Sequence, residues 1–171
     1  AITKDSFNII FNKNIIIKEY EKQINQFNPT IIFTLDNEMG GYGHAEHVLI
    51  SQLVVDLKKE NRIHPMYIYQ SVYTNHMENS IMKRHAERMK SWGFPGDEWE
   101  YAKKVYHTKD GMPEPDVQVN IVSEAKLKMD YLRSYNERER KTISFFVPAF
   151  EQFSAEEYFS IFDREFFRII Q

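Results

Sequence analysis

His44 and His47 stand three residues apart, with Tyr42 just upstream and glycines at 40, 41 and 43. On a helix that spacing puts both imidazoles on one face, one turn apart. Neutral imidazole is the commonest protein ligand for a metal, and the positive end of a helix disfavours its protonated form. The pair therefore suits a bound divalent cation. Tyr42 can donate a hydrogen bond to a developing oxyanion. If His44 acts as an acid it needs a compensating carboxylate, and Asp36 and Glu46 are the nearest in sequence. Gly40 and Gly41 let the backbone approach a substrate closely. A glycine-rich strand-to-helix turn carrying two surface histidines accounts for the same residues without chemistry. A phosphate loop does not, because neither the G-x-x-x-x-G-K-[ST] nor the G-x-G-x-x-G order is present.

The elements around this segment give it a place. Ile16, Tyr20 and Ile24 form an apolar stripe that predicts a helix over 15–26. Asn28-Pro29 stops it, since the residue before proline is pushed out of the helical region. Thr30 to Leu35 is a short, apolar, β-branched run, as in a buried strand of a mostly parallel sheet. A helix is expected from Ala45 to about Lys59, a second strand over Met66–Tyr73, and a helix over 77–92. Ser123 is expected to cap a long helix to about Ile143. The Ser154–Glu157 capping box should start a last helix reaching about Ile169, with Phe159, Phe162 and Phe166 on its apolar face.

Strand, helix, strand implies a βαβ unit, and ligands in open α/β sheets bind beyond the carboxyl ends of the strands. The histidine segment lies at that edge. So does His76, which follows the second strand and can line the pocket with Asp36, Gly40 and Gly41 as substrate-binding residues. A plain surface histidine is the alternative for His76. Two strands make a poor sheet, so this reading expects an α/β domain lacking N-terminal strands.

Composition narrows the class. At 171 residues the chain fits a single domain over 1–171. A hydrophobic share of 42% with 27% charged residues reads as globular. The net charge of -3 argues against nucleic acid as a partner. No apolar run is long enough to span a membrane. With no cysteine, a metal must sit on His, Asp or Glu, and a reducing, cytoplasmic setting is expected.

Gly40-Gly41-Tyr42-Gly43-His44-Ala45-Glu46-His47 resembles the second signature of the PIG-L/LmbE-like metal-dependent N-deacetylases, usually G-G-Y-G-H-P-D-H in one branch. Asn28 to Thr34 resembles the strand that leads into it, and Asp163 to Arg168 is similar to sequence near that family's C-terminus. Ala45 and Glu46 stand where the family has Pro and Asp, and its first signature, A-H-P-D-D-E, is absent.

The resemblance implies a Rossmann-like three-layer fold and Zn2+ or another divalent metal. It also implies hydrolysis of an N-acetyl group on a glucosamine-containing substrate. In that frame His47 is a metal ligand, His44 the electrostatic or general-acid histidine, and Tyr42 the group polarising the acetyl carbonyl. The expected partners are a small amino-sugar conjugate and an upstream segment carrying the missing ligands, this chain being the C-terminal part of the domain. A non-catalytic carbohydrate-binding or interaction protein on the same fold is the alternative, and an unrelated α/β binding module with a chance match is the third.

Overall fold

Asn12 opens the first helix, its side-chain oxygen accepting from the backbone N–H groups of Asn14 and Ile15. Helix α1 (Lys13–Phe27) ends where Asn28 turns left-handed (φ 49°) and its N–H donates to the Ile24 carbonyl. Pro29 follows, and strand β1 runs over Ile31–Leu35. Helix α2 (Ala45–Lys59) leads to strand β2 (Tyr67–Ser71). A π-helical turn (Met77–Met82) continues into α3 (Lys83–Ser91). Strand β3 (Val117–Asn120), helices α4 (Ala125–Ser134), α5 (Glu137–Ile143) and α6 (Ala155–Ile161), and strand β4 (Arg164–Ile170) complete the order. This computed structural model describes residues 12–38, 40, 45–72, 74, 76–91, 93, 114–143 and 150–171.

The fold is α/β with an open sheet of order β1-β2-β4-β3. The β1–β2 pair is parallel, joined through α2, as the βαβ expectation requires. The β2–β4 and β3–β4 pairs are antiparallel. The mostly parallel sheet expected from sequence is therefore not what the described strands form. The cause is β4, which enters between β2 and β3 in the opposite sense.

Three local expectations are corrected. The helix predicted to reach Ile169 ends at Ile161, where Phe162 leaves the helical region (φ -89°, ψ 62°), and 164–170 is a strand. Its aromatic rings and paired isoleucines suit a pleated surface, and pairing along both edges outweighs the helical spacing of Phe159, Phe162 and Phe166. The Ser154 cap itself forms, with Oγ accepting from the Glu157 N–H. The long helix over 123–143 is two helices, broken at Tyr135 (ψ 144°). Asn136 then caps α5 by a reciprocal pair with Glu139. Ser123 lies inside a 3-10 turn and caps nothing. β3 is too short, at four residues, to stand out in sequence.

Alternation along the strands assigns the faces. Ile32, Ile68 and Ile170 meet Leu57 and Ile63, together with Ile17, Tyr20 and Ile24 of α1. Phe166, on the same face, joins Ile81, Met129, Phe150, Phe153 and Phe159. Both hydrophobic clusters thus lie on one face of the sheet. The other face carries Phe33, Tyr69 and Phe167, whose rings touch one another.

Candidate functional site

The carboxyl end of β1 passes into a turn organised by Asp36. Its side chain is fully buried, and Oδ1 accepts from the Glu38 backbone N–H at 2.9 Å. The Asp36 carbonyl accepts from the Gly40 N–H at 3.1 Å. These two bonds close the chain on itself, an Asx turn leading toward a helix. Asp36 was expected to bind substrate or to compensate a histidine. Burial gives it a structural task, holding the turn.

Gly40 adopts φ +59°, and a Cβ there would lie 2.8 Å from both Val48 Cγ2 and Val48 N. No side chain fits at that distance, so glycine is required for the turn to seat against the first turns of α2. The sequence pointed to Gly40 for a close backbone approach to a substrate. The close approach in the structure is to α2.

His47 lies in the first turn of α2, half-buried, with Nδ1 3.0 Å from the Gly40 carbonyl oxygen. A carbonyl oxygen only accepts, so Nδ1 donates. In the neutral imidazole the lone pair then resides on Nε2. This is the arrangement common to metal-ligating histidines, whose second nitrogen is held by a carbonyl or carboxylate. Tyr42, His44 and Gly41 lie outside the described residues.

His76 precedes the π-helical turn, half-buried, its ring 5.6 Å from that of Phe166. It stands close enough to Asp163 to act on its charge. Hydrogen bonds from the Arg164 guanidinium hold the Asp163 carboxyl below its usual range against partial burial, and the charges of Arg164, Arg84 and His76 add to this. Among the described residues, no group of three or more His, Cys, Asp or Glu side chains gathers to hold a metal.

A polar cluster that the sequence reading did not single out lies beneath the turn. Gln70 is fully buried near the carboxyl end of β2. Its amide nitrogen donates to Asn37 Oδ1 at 2.9 Å, and its oxygen accepts from Arg168 Nε and Nη2 at 3.1 and 2.8 Å. Arg168 also donates from Nη2 to Asn37 Oδ1 at 3.1 Å and from Nη1 to Glu38 Oε1 at 2.5 Å. Asn37 in turn donates to Gln52 of α2, which donates to Asp56. Alongside, Thr34 and Ser51 share a hydroxyl–hydroxyl bond of 3.0 Å. A signal for Gln70 existed, because it shares the inward parity of Ile68 in an otherwise apolar strand. Such a position demands a partner.

No family model, no curated protein and no solved structure matches this chain. No helix among the described residues is long and apolar enough to cross a membrane.

Proposed function

We propose for this chain the function of a zinc-dependent amide hydrolase of the PIG-L/LmbE-like kind, which removes the N-acetyl group of a glucosamine-containing substrate. The observation that carries the reading is His47 at the carboxyl edge of the sheet. Its Nδ1 faces the Gly40 carbonyl, which leaves Nε2 as the basic nitrogen. The parallel β1–α2–β2 unit is the part of the fold that a Rossmann-like, three-layer domain would use to build such an edge. The absence of cysteine suits a cytoplasmic setting.

The donor set fits zinc in kind. A neutral imidazole with a fixed tautomer is a standard ligand, and a catalytic site needs about three protein ligands with one position open. His47 would be one of these, and no group of three or more such side chains gathers among the described residues. If zinc were bound there, it would supply Lewis-acid chemistry, lowering the pKa of water and polarising the acetyl carbonyl. His47 Nε2 would hold the ion in place. Tyr42 would donate to the oxygen that becomes negative when water adds to the carbonyl carbon. His44 would give a proton to the departing nitrogen as the C–N bond breaks. Water is consumed, and acetate and a free amino sugar leave.

The test is zinc content and acetate release from an N-acetylglucosamine conjugate in the full-length protein, beside His47→Ala and Tyr42→Phe. His47→Ala should lose bound zinc, and Tyr42→Phe should keep the metal and lose roughly 100-fold or more in kcat. Unchanged metal content and turnover in His47→Ala rejects the reading. Sugar binding without metal or hydrolysis would favour a non-catalytic carbohydrate-binding protein.

A further inference from the structure

We propose that Arg168 is a positioning residue: through Asn37 and Glu38 it holds the turn formed by Asp36, Asn37, Glu38 and Gly40 against the sheet, and so fixes the carbonyl that orients His47. The chemical consequence rests on His47 being a metal ligand, but the mechanical claim does not.

The guanidinium sits on β4, remote in sequence from the turn, with its side chain 19% exposed. It reaches acceptors on two other segments: Gln70 on β2, and Asn37 and Glu38 in the turn. A planar fork of donors can hold these acceptors at once in one geometry, and an ammonium cannot. Gln70 approaches Asn37 from the same side, so Asn37 Oδ1 receives two donors. The amide of Asn37 then reaches Gln52 on α2. Asn37 is thereby tied to both the sheet and the helix.

The link from this clamp to His47 is short. Asp36 precedes Asn37, and its carboxyl and carbonyl oxygens receive the Glu38 and Gly40 N–H groups. The Gly40 carbonyl faces His47 Nδ1. If residues 37 and 38 pivot, the Gly40 carbonyl moves with them. Removing Arg168 leaves Glu38 and the buried oxygen of Gln70 without their charged donor, a loss that favours such a pivot.

The experiment is backbone amide exchange in the metal-free full chain, read at Gly40 and Glu38, with a parallel zinc titration. Arg168→Met should speed exchange at both amides by about tenfold or more, while Val54 and Ile68 in the core stay protected. Arg168→Lys should resemble Arg168→Met. Lys128→Met breaks the pair between Lys128 of α4 and Glu165 of β4 and should leave both amides unchanged. Zinc affinity should fall about 10- to 100-fold in Arg168→Met. Wild-type protection at Gly40 in Arg168→Met overturns the proposal, as does an equal loss in Lys128→Met. If Arg168→Met unfolds and the core amides exchange too, Glu38→Gln and Asn37→Ser carry the test, and unchanged Gly40 exchange in both overturns it. Faster exchange in a protein whose wild type binds no zinc upholds the clamp and rejects the metal.

Discussion

The two faces of the sheet bury their residues by different means. On the first, Phe166, Ile68 and Ile32 meet side chains from helices and loops, and the inward polar residues Gln70 and Arg168 are satisfied by one another and by the turn. On the second, Phe33, Tyr69 and Phe167 pack edge-on and stacked among themselves, and Phe33 remains 67% exposed. Ile31 and Val119, on the same face, are also exposed. The difference teaches where precision is needed. The candidate site sits at the rim of the first face, where a buried polar cluster has one arrangement that satisfies every member. Ring-on-ring contact on the second face asks only for stacked or edge-to-face geometry, worth about 0.5–1.5 kcal/mol a pair.

The comparison is sharpest when one ring is removed from each face. Phe166→Ala should cost about 3–5 kcal/mol in denaturant unfolding, because it deletes a fully packed ring and leaves a cavity. Phe33→Ser removes only partial ring contacts and should cost about 1 kcal/mol. A cost above roughly 2 kcal/mol for Phe33→Ser would mean that the second face is covered in the intact protein, and the contrast between the faces would vanish. Between these lies Gly40→Ala. It forces a side chain into a left-handed backbone position against Val48, and should cost about 1–3 kcal/mol. The strain falls on the carbonyl facing His47, so if His47 holds zinc as proposed, zinc affinity should drop in the same variant.

Much of this arrangement was legible in the sequence. The α2 helix matches its predicted span from Ala45 to Lys59, since its apolar periodicity and the glycine-rich start agree. The stop at Asn28-Pro29 and the Ser154 cap follow from side-chain chemistry a few residues wide. What was not legible is non-local. Arg164 to Ile170 carries a helical apolar spacing and becomes a strand only because β2 and β3 wait on either side. That error hid the site's polar support. Read as helix, Arg168 points nowhere in particular, whereas read as strand it shares the inward parity of Phe166 and Ile170 and must find partners. Asp36 was legible as a residue of the site but not as a buried one. The bonds that bury it come from Glu38 and Gly40, whose backbone path the sequence leaves open.

The smallest expected effect concerns the rim of the first face, where the His76 ring lies tilted beside Phe166 and Asp163 precedes β4. Asp163 is held ionised chiefly by hydrogen bonds from Arg164, with Arg84 and His76 contributing positive charge. Its folded pKa lies below the unfolded value, so the folded state binds this proton less readily than the unfolded chain. The stability this contributes is fully present above the unfolded pKa of about 3.9, and is lost as pH falls through the lower folded value. Asp163→Asn should therefore be less stable than wild type at neutral pH, with the gap closing only below about pH 4. Denaturation midpoints measured from pH 7 down to pH 2 read this directly. A gap that is constant across the range would place the loss in packing at the start of β4, and the rim would then be held as the interior of that face is, by shape and not by charge.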